Sequence, residues 1–155
     1  MRLPATRAPK FGLTPVCELC DSEGGELLFR DAKLRVVAVT GAEAAYRGFC
    51  RVIWNAHTKE ITDLTHDDRN RFMDAVYRVE TALRSSLDPD KMNIASLGNM
   101  TPHLHWHVIP RFQNDAAFPK PIWAHTFSSA DTLSGAILAD STKWKEAVRF
   151  ALSAR

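Results

Sequence analysis

The run His103-Leu104-His105-Trp106-His107 constrains this chain more than any other segment. Its imidazoles recur at every second residue, and apolar side chains fill the gaps. A β-strand sends successive side chains to opposite faces. On a strand, His103, His105 and His107 therefore line one surface, while Leu104, Trp106 and Val108 line the other. The alternation predicts a half-buried strand with a row of titratable nitrogens in front of a hydrophobic wall. The whole chain holds six histidines, so strict alternation of half of them points to a functional row. Chemistry at the imidazoles and metal binding by them both remain open on this pattern, because imidazole serves as acid, base and metal ligand. Just before the row, Gly98-Asn99-Met100-Thr101-Pro102 has the composition of a turn, where backbone N–H groups can face an anion.

The rest of the chain predicts the elements around that strand. Glu26–Arg30 reads as a short strand. Leu34–Val39 reads as a second, with Asp31-Ala32-Lys33 as the turn between them, and Cys50–Asn55 as a third. Thr65 is placed to cap a helix, with Asp68 three residues on as in a capping box. Phe72, Val76, Val79, Leu83 and Leu87 then form one apolar stripe on a helix of about five to six turns. Asp88-Pro89 ends it. Met92–Leu97 is a fourth strand and His103–Ile109 a fifth, antiparallel to the fourth because the linker between them is short. A last helix is expected near Lys143–Ser153. The predicted class is α+β: an antiparallel sheet of about five strands, one long helix against it and a C-terminal helix. Residues 1–15 hold three prolines and read as an extended arm, and 16–155 as a single domain.

Composition narrows the function classes. The 155 residues carry a net charge of +2 with no clustered basic run. That argues against specific nucleic-acid binding and suits an anionic small molecule. No stretch is long and apolar enough to span a membrane. The basic N-terminus lacks an apolar core of the secretory type, so the cytoplasm is the expected compartment. Three cysteines, an odd number, do not suggest a disulfide framework. Cys17-Glu18-Leu19-Cys20 is a C-x-x-C pair, open on its own to a metal or a redox role. A thioredoxin-like context is missing, since no βαβ pattern surrounds it. Cys50 reads as a core residue.

Taken together, His103-Leu104-His105-Trp106-His107-Val108-Ile109, Pro110-Arg111 after it, Gly98 and Asn93 before it, and the upstream Gly48-Phe49-Cys50-Arg51-Val52-Ile53-Trp54-Asn55-Ala56-His57 with Asp63-Leu64 resemble the histidine triad (HIT) superfamily. The run from Leu97 to His107 looks like the bacterial branch often labelled diadenosine tetraphosphate hydrolase-like. The resemblance implies a nucleotide-binding hydrolase or nucleotidyl transferase, usually a homodimer, with no organic cofactor. It implies that His105 attacks the α-phosphorus of a nucleoside phosphate, phosphoramidate or dinucleoside polyphosphate. It also implies that His107 helps to hold the nucleophile through a backbone carbonyl, and that His103 completes the triad. Asn93, Gly98, Asn99 and Thr101 are the corresponding candidates for phosphate and nucleotide contacts. In the zinc-bearing branches, a C-x-x-C pair joins a histidine past the second strand of the motif and the first triad histidine. The matching residues here are Cys17, Cys20, His57 and His103, a structural zinc site.

This chain departs from the family pattern in places. A fourth histidine after the glycine of the upstream strand is replaced by Phe49. The place of a hydroxyl donor near the leaving group falls on Met100, which cannot donate, with Thr101 adjacent. His125 beyond the motif is a further candidate, and Glu43 a candidate for the ribose-binding acid. These departures keep two alternatives in play: a nucleotide-binding module with little catalysis, and a metal-binding protein that uses the His cluster itself.

Overall fold

The computed structural model describes residues 17–124 and 141–153. The arm expected over 1–15 and His125 lie outside these residues.

Five strands form one antiparallel sheet: β1 (Glu26–Arg30), β2 (Leu34–Ala38), β3 (Cys50–Trp54), β4 (Lys91–Ala95) and β5 (His105–Arg111), in the order β1-β2-β3-β5-β4. The α-helices among the described residues are α1 (Glu18–Asp21), α2 (His66–Leu87) and α3 (Ser141–Ser153). This is the expected α+β arrangement, including the antiparallel pairing of the last two strands. None of the described helices is long and apolar enough to cross a membrane.

Period-two patterning splits the sheet into two chemically different faces. Val36, Ala38, Cys50, Val52, Trp54 and Val108 point one way, onto α2 and α3. The predicted stripe of α2 (Phe72, Val76, Val79, Leu83 and Leu87) is buried there, with Trp144, Val148 and Leu152 of α3 beside it. Each such large side chain contributes roughly 1.5–3 kcal/mol by leaving water. The opposite face carries Val37, Arg51, Ile53, His105, His107 and Ile109, and so displays two of the three triad imidazoles.

Local signals fix where α2 starts and stops. Thr65 Oγ1 accepts from the Asp68 N–H at 3.2 Å, which satisfies one of the open donors of the first turn. At the other end Asp88 takes a left-handed conformation (φ 46°) and its N–H bonds the Arg84 carbonyl at 3.1 Å. Pro89 then prevents continuation. Gly48 leads into β3 at φ 79°, where a Cβ would stand 2.5 Å from Leu87 Cδ1; glycine supplies both the conformation and the room.

Some boundaries differ from the sequence-based expectation. β5 begins at His105, not His103, so the three imidazoles do not share one strand. Pro102 has no N–H to donate, and the His103 N–H turns back to the Thr101 carbonyl at 2.8 Å. Leu104 donates to the Thr58 carbonyl at 2.7 Å and accepts from the Trp54 N–H at 3.1 Å. These bonds tether His103 to the end of β3. β4 likewise stops at Ala95 rather than Leu97.

Candidate functional site

The sulfur and imidazole groups converge first. α1 begins directly after Cys17 and carries Cys20 on its first turn. Leu19 anchors this short helix against Val37 and Ile53. Arg35, buried on β2, donates through Nε to the Glu23 carbonyl at 3.1 Å and through one terminal nitrogen to the Leu19 and Ser22 carbonyls at 2.6 and 3.2 Å. Its other terminal nitrogen donates to Asn55 Oδ1 at 3.3 Å. So held, Cys17 Sγ lies 3.4 Å and Cys20 Sγ 3.5 Å from His103 Nδ1, and Cys20 Sγ lies 3.3 Å from His57 Nδ1. His103 Nε2 meets the Trp54 carbonyl at 2.6 Å. A carbonyl only accepts, so Nε2 carries the proton and Nδ1 presents a lone pair to the thiols. The four ligand atoms lie within 4.8 Å of one another. Cys17, Cys20, His57 and His103, the predicted set, thus form a group that could hold a metal ion.

His105 and His107 make a separate pair. Their side chains share the face opposite the helices and are buried. His105 Nδ1 donates to the His103 carbonyl at 2.6 Å. The supporting carbonyl is thus that of His103, whereas the resemblance implied a role of this kind for His107. With Nδ1 protonated, His105 Nε2 is the bare nitrogen. It faces His107 Nε2 at 3.1 Å, so His107 Nε2 is the donor of that bond and His107 Nδ1 is left bare. His107 Nδ1 is buried and makes no hydrogen bond. Burial pushes the pKa of all three histidines below the ordinary value of 6.5. For His107 the value falls to about 3, with His105 and the Arg51 guanidinium adding to the effect of burial. For His103 and His105 the bonds to carbonyls oppose burial but do not cancel it. The pair is therefore neutral at physiological pH.

Aromatic rings enclose His107. The ring centroids of Phe49 and Trp123 lie 5.6 and 5.0 Å from its own. Phe49 belongs to a cluster with Val39, Tyr46, Ile109, Ala117 and Ile122, so an apolar ring fills the position that corresponds to the family's fourth histidine. Glu43 joins this wall to β3: one carboxylate oxygen accepts from Arg51 at 2.9 Å and the other from the Trp123 indole at 3.1 Å. Sequence reasoning did not single out Arg51. The available signal was a charged residue between Phe49 and Ile53 on the same face of an otherwise apolar strand.

The remaining candidates lie around this pair. Asn93 Oδ1 accepts from the Arg111 guanidinium at 2.8 Å. Arg111 is also clamped on both Asp115 oxygens, at 2.8 and 2.9 Å, and on the Lys120 carbonyl at 2.9 Å. The Asn93 oxygen is therefore committed to holding the segment after β5. Gly98, Asn99 and Thr101 lie in the loop that enters the triad, with Gly98 at φ 130°. Met100 is 97% exposed and points away from the protein.

A family model described as HIT domain matches residues 27–114. Among curated proteins none matches this sequence at a significant level. Solved structures are similar over most of their length. A histidine triad protein from Bradyrhizobium japonicum is 27% identical, with a TM-score of 0.69 over 83% of this chain and 91% of that one. Histidine triad proteins from Marinobacter aquaeolei (22% identical, TM-score 0.65, 92% of this chain and 95% of that one) and Sinorhizobium meliloti (20%, 0.69, 92% and 97%) share the fold. The alternating histidines, the five-stranded sheet that displays them and the family match over more than half of the sequence agree: this chain belongs to the HIT domain family.

Proposed function

We propose that this protein is a nucleotide hydrolase or nucleotidyl transferase that works through a covalent nucleotidyl-His105 intermediate. The observation that carries the reading is the orientation of His105. Its Nδ1 proton is spent on the His103 carbonyl, and a neutral, buried Nε2 lone pair faces the His107 N–H. A nucleophilic imidazole needs that lone pair. On substrate binding, the α-phosphate takes the place of the lone-pair contact, and the His107 Nε2–H donates to a phosphoryl oxygen instead. The P–N bond forms as the bond to the leaving group breaks. The developing charge on the phosphoryl oxygens is met by His107 and by backbone N–H groups of the loop that holds Gly98, Asn99 and Thr101. Water, or a second acceptor, then takes the nucleotidyl group from His105. The test is a panel of adenosine phosphoramidates and dinucleoside polyphosphates, with mass spectrometry of the trapped adduct. His105→Ala is expected to abolish the adduct and to lower turnover by at least about a thousandfold. Undiminished turnover by that variant would overturn the mechanism.

A second reading, nucleotide binding with little catalysis, is favoured by Phe49 and the outward Met100. It predicts binding in the same panel with neither adduct nor product.

The Cys17, Cys20, His57 and His103 group is read as a structural zinc site. Tetrahedral zinc with ordinary Zn–S and Zn–N lengths places S and N atoms about 3.6 Å apart, close to the observed 3.3–3.5 Å. The His103 bond to the Trp54 carbonyl would orient that ligand from behind. Bound zinc would cross-link α1 to the approach of β5. His103 would then serve as ligand and backbone support, not as a proton shuttle. His105 and His107 do not belong to the ligand group found among the described residues, which disfavours a metal held by the triad itself.

A further inference from the structure

Two buried polar atoms beside the site lack hydrogen bonds, and they are complementary. One is Arg51 Nε, an obligate donor; the other is His107 Nδ1. The bonding of His105 makes His107 Nδ1 an acceptor, because the His107 proton is already on Nε2. Arg51 and His107 are register partners on adjacent strands, and their side chains leave the same face of the sheet. Both lie against Phe49: the guanidinium carbon is 5.7 Å from that ring's centroid, and the His107 ring 5.6 Å. The terminal nitrogens of Arg51 are occupied, by Glu43 at 2.9 Å and by the Gly24 carbonyl at 3.3 Å. These contacts hold the fork and leave Nε–H as the donor still to be used. Buried donors and acceptors are almost always paired, directly or through one ordered water.

We propose that Arg51 is a positioning residue for His107: its Nε–H, through a single ordered water, donates to His107 Nδ1 and fixes the tautomer whose Nε2–H is aimed at His105 and the substrate phosphate. Without that donor, the ring can move its proton to Nδ1. Two bare Nε2 atoms would then face each other, and the phosphoryl oxygen would lose a donor. Glu43 extends the connection to Trp123, so the segment after β5 also sets the Arg51 fork. The kinetic part of this proposal rests on the reading of His105 as nucleophile; the tautomer part does not.

The experiment is a long-range proton–nitrogen correlation spectrum of the intact protein with labelled histidine, for the native chain, Arg51→Met and Arg51→Lys. The native spectrum is expected to show His107 with an unprotonated, hydrogen-bonded Nδ1 and a protonated Nε2. Arg51→Met should show a mixture of tautomers. In the same variant kcat should fall roughly tenfold to hundredfold, the range typical of partners that orient metal-bound histidines, while KM changes little. Arg51→Lys keeps the charge and removes the Nε–H, so it should resemble Arg51→Met. A His107 signature unchanged in Arg51→Met would overturn the proposal, and so would native behaviour of Arg51→Lys. Should the methionine variant fail to fold, the lysine variant decides alone. Absence of turnover in all three proteins would remove the enzymatic reading and leave the spectroscopic test intact.

Discussion

His107 shows how burial converts into pH dependence. Its pKa falls from 6.5 to about 3 in the folded chain, chiefly through burial, while the unfolded chain titrates near the ordinary value. Between those limits the unfolded state binds a proton that the folded state refuses. Stability therefore rises with pH across that window. The contribution is complete above about pH 6.5 and is lost as pH falls toward 3. His103 and His105 shift in the same direction. Asp115 acts lower down: burial raises its pKa, but the bonds from Arg111 and backbone N–H groups outweigh that and hold it below 3.8. Urea midpoints measured from pH 8 to pH 4.5 should fall through the histidine window, and His107→Phe should make the fall shallower. Equal slopes in both proteins would refute the assignment. At this scale the alternation of His105 and His107 was legible in the sequence, because a strand needs no tertiary information to place them on one side. Arg51 was not: a charge in a strand reads as solvent-facing until the opposing side chains are known.

Among the elements, the longest were the most readable. The stripe and caps of α2 carry their own signals, and its limits match the expected ones to a residue at the start and at the end. Four-residue α1 has no such signature, since so short a helix cannot pay for its own nucleation. The Arg35 bonds to the carbonyls of Leu19, Ser22 and Glu23 hold it and the loop after it. The C-x-x-C pair was visible, but its juncture with His57 and His103 came only through family resemblance. If the group binds zinc, Cys17→Ser and His57→Ala should each strip the metal, as read by elemental analysis, and lower Tm by at least about 5 °C. His105→Ala should keep the metal, because His105 lies outside the ligand group. Metal retained by both ligand variants would reject the site.

At the scale of the whole molecule, strand order β1-β2-β3-β5-β4 leaves the outer edge of β4 (Lys91–Ala95) unpaired within the described residues. The number and alternation of strands were readable from the sequence. Their spatial order was not, because β5 inserts between β3 and β4 through contacts far apart in the chain. A homodimer is proposed on family grounds, and light scattering at micromolar concentration should give twice the chain mass; a monomer alone would reject it. The feature with the widest consequence is the double duty of His103, whose ring faces the thiols while its peptide oxygen steadies His105. A single residue, Leu104, separates the two imidazoles, and it is itself stitched to Thr58 and Trp54. That interval is incompressible: one residue added or removed there would spoil the sulfur-rich corner and the proposed chemistry at phosphorus at a stroke. Natural variation in length should therefore accumulate upstream of His103, in the loop that displays Met100, and never inside the triplet.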